Sequence, residues 1–548
     1  MTAEDGSGTQ RVDAIVVGAG ASGLYALQRL RELGFSVRVL EAADGVGGTW
    51  WWNRYPGARC DIESMTYSYS FSEELQQEWT WTERYAAQPE ILRYFEHVAD
   101  RFDLRPDIQF ATRVTSAAFD EDDQRWTVTT DRGDVLSASF LIMATGCLSV
   151  PRLPDIPGVE RFTGEKYHTG LWPHERVDFA GKRVGIIGTG SSAIQALPII
   201  AQDADHVTIF QRTPAFSVPA FNRPLDPEEV RERKARYPEY RQAERESGGG
   251  NPWLTREVSV FDETPQQRRE QLETHYARGG FHLHAAYNDT FTDARANDVS
   301  ADFVRDKIRE RVHDPEVAEL LCPYGYPFAT KRMCIDTAYY EAYNRDNVRL
   351  VSVKQTPIEE ITETGLRVGD EEHSFDMLVI ASGFDAMTGA LMAVDIRGRS
   401  GLSLREKWAD GPQSYLGLTV AGFPNLFTIT GPGSPSVLSN MIVSIEQHVD
   451  FVADCLVAMR ERGLVCVEPT EEAERAWVDH VREIGEETLY PLAASWYMGA
   501  NVPGKPRVLL PYVAGVGEYR RECEGIVERG YEGFSFRSRA TAEAPAPR

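Results

Sequence analysis

Cysteine is scarce for a chain of 548 residues, and none of the seven present falls in a C-x-x-C pair. Cys60, Cys147, Cys322, Cys334, Cys455, Cys466 and Cys523 are scattered, so neither a metal site nor a disulfide framework is expected, and the reducing cytoplasm is the expected compartment. Long apolar runs are missing as well. No uninterrupted stretch is long enough to cross a bilayer, and the polar start over residues 1–10 lacks the basic flank and apolar segment of an export signal. Positive charge is in short supply: 58 Lys and Arg against 83 Asp and Glu leave a net charge of -25. Such a surface repels phosphate backbones and anionic lipid, so no nucleic-acid and no membrane partner is expected. What remains, 42% hydrophobic and 26% charged residues, is an ordinary globular composition. At this length it divides into two or three domains.

Two glycine-rich runs stand out against that background. Gly18-Ala19-Gly20-Ala21-Ser22-Gly23 follows the apolar stretch Ala14 to Val17, and Gly188-Thr189-Gly190-Ser191-Ser192-Ala193 follows Val184 to Ile187. A strand, a glycine turn and a helix in that order make a dinucleotide site. The first glycine allows the turn, the second lets backbone approach a pyrophosphate, and the third position packs helix on strand. The first unit continues through a helix over Leu24 to Leu33 and a strand over Val37 to Leu40, and ends on Glu41. An acid about twenty residues past the glycines accepts hydrogen bonds from a ribose 2′-hydroxyl and excludes a 2′-phosphate, so this site suits FAD or NAD. The second unit ends at the strand His206 to Phe210, followed by Gln211-Arg212-Thr213. There the acid is replaced by an arginine, whose planar fork pairs two phosphate oxygens, and the site suits NADP(H). Two such sites in one chain point to electron transfer between two bound nucleotides. The absence of paired thiols excludes a flavin disulfide reductase.

The expected fold class is α/β, with two Rossmann-like dinucleotide-binding domains and a helical insertion. Residues 1–10 are read as a disordered start, 11–150 as the first part of the flavin domain, and 151–389 as the NADP domain. Helices over Asp226 to Glu244, Pro265 to Arg278 and Val299 to Val312 mark an insertion at about 214–330, interrupted at Gly248-Gly249-Gly250. Residues 390–537 complete the flavin domain with a helix over Val437 to Met459, and the Ala/Pro-rich tail, 538–548, is read as disordered. The strands ending in Ala144-Thr145-Gly146 and Ala381-Ser382-Gly383 resemble the interdomain crossovers of two-dinucleotide flavoproteins.

Between the two units lies Phe162-Thr163-Gly164-Glu165-Lys166-Tyr167-His168-Thr169-Gly170-Leu171-Trp172-Pro173, which matches the F-x-G-x-x-x-H-x-x-x-W-P pattern of Baeyer-Villiger monooxygenases. A second pattern of that family, G-G-x-W-x-x-x-x-Y-P-G-x-x-x-D, is met by Gly47, Gly48, Trp50, Tyr55, Pro56, Gly57 and Asp61. The resemblance covers nearly the whole chain and is nearest to the phenylacetone- and steroid-oxidising branch. It implies a bound FAD reduced by NADPH, a flavin peroxide formed with molecular oxygen at C4a, and conversion of a ketone to an ester or lactone. It also implies the site residues. Arg332 is the catalytic cation and Asp61 the acid that holds it. Gly18, Gly20, Ser22, Gly23, Glu41, Gly48, Thr49, Trp50, Arg59, Asp61, Tyr67, Val114 and Met441 belong to the flavin side. Thr189, Gly190, Ser191, Ser192, Arg212, Thr213, Lys331 and Arg332 belong to the NADP side. Trp496 is placed near the flavin, and His168 is given a hydrogen-bonding hinge role rather than that of a base.

Related monooxygenases that oxidise sulfur or nitrogen lack the Trp-Pro ending, so Trp172-Pro173 favours ketones. The alternatives are a heteroatom monooxygenase and a non-oxygenating flavin redox sensor. Cys147, Cys334 and Phe328-Ala329 depart from the branch's pattern, which leaves the natural substrate open. A monomer acting on a small-molecule ketone with oxygen is expected.

Overall fold

The computed structural model describes residues 3–4 and 10–538. The β-branched run after Gln10 forms strand β1 (Gln10–Val17), followed by helix α1 (Ala21–Glu32) and strand β2 (Val37–Leu40). β1 pairs in parallel with β2 on one side and with β3 (Val135–Met143) on the other. Alternation along β1 sends Ala14 and Val16 into a core shared with Leu24 and Leu27 of α1, and Ile15 and Val17 into the opposite core with Val128 and Leu141. Both faces are covered, which is why the strand reads as one continuous apolar run. A meander over Val114–Asp120, Arg125–Thr130 and β3 extends the sheet. Two late strands, Asp395–Arg397 and Leu426–Thr428, join it in parallel and bring the chain back to the first unit.

The second sheet is parallel throughout. Its centre is β4 (Arg183–Ile187), followed by helix α2 (Ser191–Asp203) and β5 (His206–Gln211). β6 (Met377–Ile380) lies on the other side of β4, and Val348–Ser352 and Glu165–His168 form the edges. Between β5 and Val348–Ser352 the chain is mainly helical, including Pro265–Arg278 and Ala294–Arg311.

Several boundaries differ from the sequence reading. Helix α1 starts at Ala21, directly on the glycine turn, rather than at Leu24. The single helix expected over Asp226 to Glu244 is two, Pro227–Ala235 and Tyr237–Glu246, because Pro238 near the second start contributes no backbone donor to continue the first. The helix expected from Val437 begins at Met441, capped by the Asn440 side chain, after a separate turn over Ser436–Leu438. At the start, Ala3–Glu4 pairs antiparallel with Gln10 and Arg11. At the end, Phe534–Ser538 pairs with Leu464–Pro469, so Ser538 belongs to a strand. The other residues of the two ends expected to be disordered, 1–2, 5–9 and 539–548, lie outside the described residues. Among the described residues no helix is long and apolar enough to cross a membrane.

Candidate active site

The two glycine turns share one construction. Gly18 has φ +105°, and a Cβ there would stand 2.6 Å from the Ala144 carbonyl oxygen; Gly188 has φ +112°, and its Cβ would stand 2.5 Å from that of Ala381. Each turn is thus pressed against the end of the strand that leaves its domain. A Cβ on Gly23 would fall 1.8 Å from the Gly18 carbonyl oxygen, whereas Ala193 fills the equivalent place in the second turn, 2% exposed. Gly20 and Gly190 are the N-caps of α1 and α2, and neither helix start has a side-chain cap. The first-turn N–H groups around Ser22 and around Ser191 are therefore free of a capping side chain and face an anion favourably. These cradles fit dinucleotide pyrophosphates.

On the flavin side, Gly48, at φ +52°, packs backbone to backbone on Gly20, and the Gly47 N–H donates to the Ala19 carbonyl at 3.0 Å. Thr49 and Trp50 open the short helix that follows, and the Trp50 indole N–H donates to the Tyr67 hydroxyl at 3.1 Å. Buried Glu41 accepts from the N–H of Ala19 at 2.5 Å and of Ala43 at 2.7 Å. Burial raises its pKa, partly offset by those two donors. It fixes the turn and stands directly after β2. Val114 has its side chain in the core and pairs with Thr130 at the start of its strand. Met441 is half-buried at the start of its helix. The Arg59 guanidinium pairs with Glu83 at 2.7 Å and donates to the Tyr85 carbonyl.

On the NADP side, the Thr189 hydroxyl donates to the Thr213 carbonyl at 2.8 Å, and Ser192 shares a hydrogen bond with Thr169 at 3.1 Å. Arg212 is exposed and Lys331 half-buried, and neither has an ion-pair partner among the described residues. Lys331 lies over the Tyr326 ring at 4.6 Å. Burial, and then the charge of Arg212, lowers its pKa. Two neighbouring cations with no acid between them fit a phosphate, as the 2′-phosphate reading requires.

Between these cradles Arg332 and Asp61, 271 positions apart, form a two-pronged pair, Nε and Nη2 on one carboxylate oxygen at 2.9 and 2.8 Å. Nη1 donates to the Val437 carbonyl at 2.8 Å, and the guanidinium lies over the Phe281 ring at 5.2 Å. Burial works against the charge, but Asp61, followed by the Tyr497 hydroxyl, outweighs it and holds the pKa of Arg332 above its ordinary value. The cation is permanent and fixed. Of its five N–H groups three are engaged by Asp61 and Val437 and a fourth by the Tyr497 hydroxyl, leaving one.

The Tyr55–Arg59 loop explains the second motif. The Tyr55 hydroxyl donates to Gln195 Oε1 at 2.8 Å, Gln195 Nε2 donates to the Arg59 carbonyl at 3.1 Å, and a Cβ on Gly57 would stand 2.3 Å from the Gln195 carbonyl oxygen. The motif docks the flavin side onto α2 and so sets Asp61. The Gly170 N–H donates to His168 Nδ1 at 3.0 Å, while Nε2 faces the Arg152 carbonyl at 3.2 Å and Ser382 Oγ at 3.3 Å. Burial lowers its pKa, so the ring is neutral and ties together the two crossover segments, which pair at Pro151 and Phe384. Trp172 is buried against Tyr167 and Phe179. The Cys147 thiol, its pKa raised by burial, lies 3.1 Å from the Thr430 carbonyl oxygen, and burial pushes Cys334 up to about 12. Trp496 packs on Tyr497 with ring centroids 4.2 Å apart. Tyr497, Phe281, Gln195 and the Val437 carbonyl went unseen in the sequence; only Gln195, close behind the second glycine turn, carried a positional signal.

Residues 15–233 match the pyridine nucleotide-disulphide oxidoreductase family. The chain is 43% identical over 535 residues to a Baeyer-Villiger monooxygenase of Pseudooceanicola batsensis, covering 95% of each. It is 41% identical over 530 residues to the phenazine N-monooxygenase PhzNO1 of Lysobacter antibioticus, covering 96% of this chain and 97% of the relative. Among solved structures, an oxidized steroid monooxygenase bound to NADP superposes with a TM-score of 0.93 at 51% identity, over 96% of this chain and all of that one.

Proposed function

The chain belongs to the Baeyer-Villiger monooxygenase family, and we propose that it converts aryl, alkyl or cyclic ketones to esters or lactones with Arg332 as catalytic cation and Asp61 as the residue that positions it. It is an FAD-dependent oxidoreductase using NADPH and molecular oxygen. The balance is ketone, oxygen, NADPH and a proton to ester, water and NADP⁺. When bound, FAD supplies the hydride acceptance and oxygen activation that side chains cannot. The protein's part is electrostatic. The carbonyl oxygen gains negative charge as oxygen adds to carbon, and a preorganised cation opposite that oxygen stabilises it without reorganisation.

The observation that carries the reading is the Asp61 pair, which leaves Arg332 charged, orientated and still holding an unused N–H group. Arginine suits the task because it keeps its proton beside a strong base, and lysine could not reproduce the two-pronged contact. On the NADP side, Arg212 and Lys331 would hold the 2′-phosphate, and the Gly190 to Ser192 backbone the pyrophosphate. On the flavin side, Gly18 to Gly23, Glu41, Gly48 to Trp50 and Tyr67 would hold FAD.

The division into 11–150 with 390–537 for FAD, and 151–389 for NADP, is proposed on strand pairing, since Asp395–Arg397 and Leu426–Thr428 return to the first sheet. A cytoplasmic location, supported by seven buried free thiols, and a monomeric state are part of the same proposal.

The test is Arg332→Ala, assayed by mass for product and by absorbance for flavin. The variant retains FAD, whose cradle does not include Arg332, while ester formation falls by about 10²- to 10³-fold. Ester formation at the parent rate would remove Arg332 from its role.

A further inference from the structure

The Arg332 site contains a polar group that the reaction above does not use. His284 sits in the short turn Gly280–Ala285, between the helices Pro265–Arg278 and Ala294–Arg311. Gly279 and Gly280 seat this turn against both neighbours: a Cβ on Gly279 would stand 2.7 Å from the Ala220 carbonyl oxygen, and one on Gly280 2.1 Å from the Tyr85 hydroxyl. The surroundings of His284 are aromatic. Phe281 lies 5.4 Å from its ring, Phe291 5.3 Å and Phe328 5.8 Å, centroid to centroid. The same Phe281 carries Arg332 on its face at 5.2 Å, so it stands as a common neighbour of histidine and cation. Phe291 in turn stacks on Tyr490, which meets Tyr497, the partner of Arg332.

His284 makes no hydrogen bond among the described residues, and its Nε2 is sealed without a partner. Burial, reinforced by the charge of Arg332, pushes its pKa down to about 3, so the ring is neutral. A neutral ring has one proton to place. A sealed N–H lacking an acceptor is a rarer and costlier orphan than a sealed lone pair, so the proton belongs on Nδ1, the nitrogen that is not sealed. The result is a neutral N–H donor set among aromatic rings beside the catalytic cation.

We propose that His284 is a specificity-determining residue, its Nδ1–H recognising an oxygen acceptor on the ketone substrate remote from the reacting carbonyl, so that this enzyme selects ketones bearing an ether, hydroxyl or second carbonyl oxygen over their hydrocarbon isosteres. This inference rests on the function proposed above. The physical ground is that a site holding an unpaired polar group discriminates strongly against a ligand that leaves it unpaired.

The test compares tetrahydropyran-4-one with cyclohexanone, and 4-methoxyphenylacetone with 4-ethylphenylacetone. For each pair the ratio of kcat/KM is measured in the parent, His284→Leu and His284→Asn, and the binding ratio is measured by calorimetry on the oxidised NADP⁺-bound enzyme. Differences in intrinsic reactivity cancel between variants. In at least one pair His284→Leu lowers the ratio by about five- to tenfold, the worth of one hydrogen bond. His284→Asn, whose amide nitrogen stands where Nδ1 does, restores most of it. Ring ¹⁵N spectra of the unaltered enzyme, assigned by loss of one signal in His284→Asn, show the Nδ1–H tautomer. Ratios unchanged in His284→Leu for both pairs, or a Nε2–H tautomer, overturn the proposal. If no ketone yields ester, the proposed function fails, while the binding ratios still decide the role of His284.

Discussion

At the scale of single residues the site depends on charges that have no internal partner. Arg212 and Lys331 stand together with no carboxylate to neutralise them, and this unpaired state is what a bound 2′-phosphate would relieve. Arg212→Ala removes a charge-assisted contact worth about 1.5 to 3 kcal/mol, or roughly ten- to a hundredfold in affinity. The loss falls on NADPH and spares NADH, as steady-state kinetics with the two coenzymes would show; an equal loss with both would mean that Arg212 does not read the phosphate. Glu41 and Arg212 were legible in the sequence because a βαβ unit fixes their distance from the glycine turn. Arg332 and Asp61 were legible only through the family patterns, since contacts across 271 positions leave no local trace. Tyr497 and Phe281 left none either, because an aromatic residue beside a cation reads the same as one in the core.

At the scale of elements the two glycine turns look alike in sequence and differ in what they tolerate. A Cβ at Gly23 collides with the Gly18 backbone where Ala193 fits in the second turn, and a Cβ at Gly20 would stand 3.3 Å from the Gly48 Cα whereas one at Gly190 meets nothing within 4 Å; Gly190 has an ordinary extended backbone that alanine accepts. Gly190→Ala therefore keeps the fold, the flavin content and the melting temperature of the parent. It raises the KM for NADPH, because the added methyl occupies the space where a pyrophosphate approaches backbone. Gly23→Ala instead disrupts the turn and yields protein depleted of FAD. Unchanged kinetics in Gly190→Ala would show that the second turn does not cradle the coenzyme. Helix Pro265–Arg278 matched the sequence reading to the residue because its signals are local, with Pro265 at the first position and a Thr264–Gln267 capping box. The pairing of Ser217–Pro219 with Cys334–Asp336 was invisible. Strands of three residues carry no usable period, and only the tertiary packing that delivers the Arg332 loop brings them together.

At the scale of the whole molecule, the fold keeps several titratable groups neutral at its centre. His448 is fully buried in the helix Met441–Glu461, which follows the strand Leu426–Thr428 of the first sheet; its Nδ1 accepts from the Thr430 N–H at 3.0 Å, and burial pushes its pKa down to about 3. A folded pKa below the unfolded value of about 6.5 means that the unfolded chain binds the proton first. The stability contributed by neutral His448 is then complete above pH 6.5 and is lost as pH falls towards 3, by about 1.4 kcal/mol per pH unit. His448→Asn keeps an acceptor near the Nδ1 position but cannot titrate. The melting-temperature advantage of the parent over this variant should shrink between pH 7 and pH 5; a constant difference would show that His448 does not protonate on unfolding.

The same architecture joins two glycine-turn units and brings Arg332 onto Asp61 from 271 positions away, and the family's chemistry is the insertion of one oxygen atom beside a carbonyl. The most direct measurement supplies the purified flavoprotein with NADPH, ¹⁸O₂ and a ketone such as phenylacetone or cyclohexanone, and follows product mass together with NADPH consumed. The account predicts an ester or lactone carrying one ¹⁸O atom for each NADPH oxidised. Sulfoxide from a thioether with no ester from any ketone, or NADPH oxidation that yields only hydrogen peroxide, would contradict it.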